Sequence, residues 1–208
     1  MTPIAHFEAV WDRCAQLSAL YAYLAKNVTG VLHPEELLRA EWVARISALD
    51  LYLHELIAQK MLAPFEGQRP ASPGYLRFQV SNETLNRIRA AAVSSDANAA
   101  FDLEVRGQLG YVTMQDPEKI AEGVRLFSTV ELWNEVALKY GATPATKATE
   151  AKRLKKELSL VVQRRNKIAH EADIDASNPG SRWPITATMV RAALDFIEKL
   201  TRGIYNVA

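Results

Sequence analysis

From Pro34 to Leu62 an apolar residue returns every three or four positions, as Leu38, Trp42, Ile46, Leu49, Leu53 and Leu56. Only a helix stacks residues so spaced on one side, and one this long cannot cover its own apolar line. It needs other helices around it, which makes the chain an all-α bundle. The same spacing recurs at both ends. Phe7, Val10, Trp11, Cys14, Leu17, Leu20, Tyr21 and Leu24 mark a helix from about Ile4 to Asn27, closed between Asn27 and Gly30. Val190, Ala193, Leu194, Ile197, Leu200 and Ile204 mark a closing helix capped by Thr186 or Thr188. The alternation of a half-buried strand is nearly absent, with Arg77 to Ser81 the one short candidate.

Between these elements the pattern breaks from Ala63 to Val80, where Pro64, Gly67, Pro70, Pro73 and Gly74 fall close together. This predicts a loop after the second helix, laid over the bundle through Phe65, Tyr75, Leu76 and Phe78. Ser81 or Asn82 then caps a helix to about Ser94, and another runs from Ala97 to Leu109. Pro117 opens a helix to Tyr140 that Gly123 or Ser128-Thr129 can bend, and Gly141 and Pro144 end it. No linker of domain-separating length interrupts residues 1–208, so a single domain is expected. No stretch holds the roughly 18 apolar residues of a membrane span, and the start lacks a secretory leader, so the expected home is the cytoplasm. Cys14 stands alone, which excludes an internal disulfide and a multi-cysteine zinc site.

The segment from about Thr146 to Glu171 reads as one more helix, and it poses a problem. At 100° per residue Leu154, Leu158, Val161, Val162, Ile168 and Ala169 form one apolar stripe, and Arg165 falls near its middle. A guanidinium keeps its charge, so on a packing face it must meet a carboxylate, backbone carbonyls or an anionic ligand. Asn166 and His170, four apart, share the flank of that stripe. Arg165 and His170 stand about 140° apart in azimuth. Three arrangements remain open. Arg165 reaches around the helix, a second copy brings its own Arg165 and His170 to a shared cleft, or Arg165 is tied to an acid such as Glu41 and His170 is a plain helix-end histidine. The helix is also basic: Lys147, Lys152, Arg153, Lys155, Lys156, Arg164, Arg165 and Lys167 face only Glu150 and Glu157, in a chain whose net charge is +1. Such a ridge gathers phosphates or is simply a solvated face.

The run Arg165-Asn166-Lys167-Ile168-Ala169-His170 resembles the signature of HEPN domains, all-helical ribonucleases and nucleotide-binding modules. The stretch from Arg39 through Glu41, Trp42, Arg45 and Asp50 to His54 is similar to the early core helix of the RiboL-PSP-HEPN branch. The order that follows is similar too: Trp133 on a helix, the Arg-Asn-x-Ile-Ala-His segment, Asp173 and Asp175, an Arg182-x-Pro-Ile turn and a last helix. The resemblance implies a HEPN-like bundle with additional helices. It implies a homodimeric endoribonuclease, a toxin or phage-defence effector, with Arg165, His170 and Asn166 catalytic. Arg164, Lys167, Glu41 and Arg45 would bind RNA or line the site, and an antitoxin or other operon partner would control it.

The residue chemistry fits that implication. RNA breaks without a metal when the ribose 2′-hydroxyl attacks its own phosphate, given a proton acceptor, a proton donor for the leaving oxygen and positive charge on the phosphate. Histidine exchanges a proton near neutral pH, and arginine presents a forked donor set to phosphate. Asn166 can hold a phosphate oxygen or orient His170. Glu171, Asp173 and Asp175 read as turn acids, and neither metal nor cofactor is expected. The other readings are a HEPN module that binds RNA or nucleotide without cutting, and a helical subunit of a larger assembly.

Overall fold

The computed structural model describes residues 2–28 and 33–208, and within them every regular element is a helix. Gly30, part of the expected stop after the first helix, lies outside the described residues. The centre is α2 (Glu35–Phe65), whose 31 residues include Ile46, Leu49, Leu53, Ile57 and Met61 with no exposed surface. It touches α1 (Pro3–Asn27), α5 (Ser94–Leu109), α6 (Pro117–Arg125), α8 (Lys147–His170) and α9 (Ala187–Val207). Truncating a side chain such as Leu49 to Ala there costs about 2–5 kcal/mol, because so enclosed a site cannot collapse onto the space left behind.

Sequence chemistry sets the ends of these helices. Thr2 caps α1, Ser81 caps α4 (Asn82–Ala90), Asp116 caps α6 and Thr186 caps α9, each accepting a backbone N–H of the first turn. The turn before Ala187 therefore starts on Thr186 rather than Thr188. In α1 the buried stripe stops at Cys14, and Leu20 is 46% exposed. The later turns border an open groove between α1, α2 and α9, which Ser18, Tyr21 and Ala22 line.

The segment after α2 differs from expectation in a simple way. Residues 77–81 form no strand, and a four-residue helix, α3 (Pro73–Leu76), turns the chain back instead. Phe65 stacks on Phe101 at 4.3 Å, with Tyr75 and Phe78 against the same ring, whereas Leu76 is 72% exposed. Gly74 is required there, since a Cβ would lie 2.0 Å from the Arg125 carbonyl oxygen. The expected helix from Pro117 to Tyr140 is two, α6 and α7 (Leu132–Lys139), with residues 126–131 turning between them. The break falls where Ser128 accepts the Val130 N–H, a local bond that competes with the helical ladder.

Candidate functional site

α8 stops because Ala172 and Asp173 adopt left-handed conformations, φ +51° and +58°. Both are non-glycine residues, so neighbouring contacts must hold them there. The Asp173 N–H bonds the Lys167 carbonyl, and its own carbonyl accepts the Trp183 N–H at 2.9 Å. Its carboxylate has no exposed surface. Oδ2 receives Arg39 Nε and Arg164 Nη2, each at 2.8 Å. Both guanidiniums also reach the Trp183 carbonyl, and Arg164 reaches that of Pro184. Burial pulls the Arg164 guanidinium below its usual range, Arg39 adds to this, and Asp173 opposes it. This knot fastens the end of α8 to α2 and to the turn leading into α9. Lys167 lies over the Trp183 ring at 5.3 Å beside it.

Arg165, one residue on, faces away from the knot. With Asn166, His170, Ser159, Val162 and Gln163 it lines a groove of about 520 Å³, whose far wall is Thr113, Gln115, Asp116 and Pro117. Among the described residues no carboxylate lies within ion-pair distance of Arg165. Its Nη1 donates to Asn166 Oδ1 at 3.1 Å, and its Nε is buried with no protein partner. One chain thus lines a single groove with Arg165, Asn166 and His170. The stripe is shorter than the spacing predicts: Leu154, Leu158 and Val161 are buried, Ile168 is half-buried and Ala169 is exposed. Covering elements run out in the last turns of α8, and the groove begins there.

No protein-family model, curated protein or solved structure matches the chain. The arrangement itself therefore defines the candidate site. Its far wall is anchored firmly, because Met114 N–H donates to Asp50 Oδ1 at 2.6 Å and Trp133 Nε1 to the Pro117 carbonyl at 2.9 Å. Asp50, four residues before His54, stands 3.9 Å from that imidazole and serves the loop more closely. Gln115 is the residue the sequence concealed. It is 3% exposed, its Oε1 is buried without a protein partner, and it lies in the same groove as the unpartnered Arg165 Nε. A loop residue carries no periodicity, so only the Asp116-Pro117 helix start beside it gave any signal.

Other expected site residues lie elsewhere. Trp42 faces α8, donating to the Val161 carbonyl at 3.1 Å, and helical rotation turns Glu41 and Arg45 toward α1 and α9. Glu41 is fully buried, takes Arg45 Nη2 at 2.8 Å and accepts the Ser18 hydroxyl, and Arg45 stacks 4.5 Å above the Trp11 ring. This pair borders a separate groove of about 330 Å³, not the one holding Arg165. Arg164 belongs to the knot. Glu171, Asp173 and Asp175 do not converge, for Asp173 is enclosed and Asp175 accepts from Ser177. The basic ridge also divides: Arg153 is paired with Glu150 and Glu157, and Lys155 with Glu118 at 2.9 Å.

Proposed function

We propose that the protein is an endoribonuclease of HEPN type that cleaves RNA at the Arg165 groove without a metal. The observation that carries this reading is Arg165, an acid-free guanidinium beside Asn166 and His170 in an open groove. Its Nε–H, like that of Arg164, is buried without a protein partner, but Arg165 has no carboxylate among the described residues and lines an open groove, so an anion is the partner it lacks. Gln115 adds a second requirement, because its buried acceptor needs a donor that an ionised phosphodiester group does not carry. A ribonucleotide has both, in its phosphate oxygens and in its hydroxyls or base N–H groups.

In the cleavage step the 2′-hydroxyl loses its proton to an imidazole, O2′ bonds to phosphorus, and the P–O5′ bond breaks. The departing O5′ takes a proton from an acid, leaving a 2′,3′-cyclic phosphate and a 5′-hydroxyl. Arg165 meets the charge on the phosphoryl oxygens, and Asn166 holds Nη1 of Arg165 in register. One His170 fills one proton-transfer role. A second copy of the chain supplies the other imidazole, so a homodimer is part of the proposal. A cytoplasmic toxin or defence effector, silenced by an antitoxin or operon partner, is the role that such an activity suits.

The test is incubation of the purified protein with single-stranded RNA in EDTA. Expected are cyclic-phosphate ends, loss of cutting in Arg165→Ala and in His170→Ala with helical circular dichroism unchanged, and toxicity on expression that the same changes remove. Binding without cleavage in the wild-type protein would leave an RNA-binding module. Unfolding of both variants would make the motif structural.

A further inference from the structure

Beyond the groove, α8 carries an unbroken polar face. At 100° per residue Lys152, Lys156, Ser159, Gln163, Asn166 and His170 fall within an arc of about 80°, and they climb about 27 Å at 1.5 Å per residue. The lower half of this face borders the Arg165 groove. At its upper end Lys152 borders a second groove of about 220 Å³, where it and Lys155 meet Arg125, Glu118 and Trp133. α6 walls both, with Pro117 at the first and Glu118 and Arg125 at the second. The two grooves are thus successive stretches of one furrow, along which α6 and α8 run in opposite directions. They meet where Lys155 crosses to Glu118, an exposed pair of the weak kind.

The cations along the furrow sort into two groups. Lys155 is paired with Glu118, but Arg125, Lys152 and Lys156 are exposed and have no carboxylate within ion-pair distance among the described residues. Of the acids beside them, Glu118 is held by Lys155, Asp116 is engaged in capping α6, and Glu131 lines the upper groove opposite Lys152 and Lys155. Arg125 and Lys152 therefore line the upper groove as unpaired cations, and Lys156, one turn on from Lys152, extends the charge along the polar face of α8 toward His170.

We infer that this furrow is the track of one RNA strand, which passes Arg125, Lys152 and Lys156 before its scissile phosphate reaches Arg165. The inference rests on the ribonuclease reading and deepens it by fixing the form of the substrate. A duplex keeps its bases paired and lays only its sugar-phosphate edge on a protein surface. A furrow between two helices, with an acceptor as deep as Gln115 Oε1, suits a strand that can turn a base or ribose inward. Its length accommodates about eight nucleotides at the stacked spacing of 3.4 Å, and fewer when extended.

Full-length His170→Ala protein, which should bind without cutting, tests the track by fluorescence anisotropy with labelled RNA of 4, 8 and 12 nucleotides. Affinity is expected to rise to the 8-mer and then level off, with a matched duplex at least tenfold weaker. On the otherwise wild-type chain, Arg125→Ala, Lys152→Ala and Lys156→Ala combined should raise KM for the 12-mer at least tenfold while kcat stays within twofold. The salt dependence of log affinity should flatten by about two, since each lost single-strand phosphate contact removes about 0.7. Removing Lys26, Arg89 and Lys139 instead should leave KM unchanged. An affinity independent of length, a duplex bound equally well, equal competition by polyglutamate, or an unmoved KM each overturns the track while leaving cleavage standing. Wild-type protein that neither binds nor cuts RNA overturns the ribonuclease reading as well.

Discussion

Arg164 and Arg165 are adjacent and chemically identical, yet their surroundings are opposite. Arg164 turns into the knot, where a buried carboxylate and two backbone carbonyls receive it. Both leave Nε buried without a partner, but Arg165, a hundred degrees around the helix, meets no carboxylate and finds only the Asn166 amide oxygen for its Nη1. The first is a structural cation whose partners lie within the chain. The second awaits a partner from outside. Azimuth on the helix, and what the neighbouring elements place there, decides which role an arginine takes.

Substituting Asp173 should separate the two most widely. Asp173→Asn keeps the shape but leaves Arg164 without a counter-charge and Arg39 with only the half-exposed Glu36, at a cost of about 3–5 kcal/mol. Urea unfolding should show that fall in midpoint, and a loss below about 1 kcal/mol would mean the knot is dispensable. Arg165→Ala should do the reverse, leaving stability within about 0.5 kcal/mol while cleavage falls on the order of a hundredfold to a thousandfold. A stability loss as large as that of Asp173→Asn would erase the distinction between the two arginines.

Gln115 sharpens the same contrast on the opposite wall. Gln115→Leu removes a buried acceptor that no protein group satisfies, so the fold should hold or gain up to about 1 kcal/mol in thermal unfolding. RNA affinity should drop about tenfold, a change of about 1.4 kcal/mol. A variant that loses stability instead would place Gln115 with the structural polar groups, alongside Arg164.

The division between these arginines also marks what the sequence disclosed. The apolar spacing located the helices, and Arg165 betrayed itself as a charge in line with an apolar stripe. Its partner was not legible, because the wall opposite comes from a loop at 113–117 whose place is fixed by Asp50 and Trp133, bonds of long sequence separation. The knot was hidden for a similar reason. Asp173 reads as one acid among several in a turn, and nothing local says that Arg39, 134 positions earlier, will close over it. Glu41 and Arg45 were misplaced by reading a helix as though one face met one site, when successive turns of α2 serve α8 on one side and α1 with α9 on the other.

A second carboxylate, set beside Asp173, separates burial from hydrogen bonding as the source of such effects. Glu104 on α5 is only partly covered, unlike Asp173, yet it accepts from the Ser81 N–H and hydroxyl, Thr84 and Gln108. The Thr84 bond first, then those from Gln108 and Ser81, hold its carboxyl down to about 2 from 4.5. A group whose folded value is depressed adds stability above its unfolded value, and that stability disappears as pH falls through the folded one. The wild-type fold should therefore weaken between about pH 4.5 and 2 more steeply than Glu104→Gln. Solvent screens so exposed a group, and the difference should stay under about 1 kcal/mol. Equal acid slopes in the two proteins would show that these hydrogen bonds to Glu104 are no stronger than those water offers the unfolded chain.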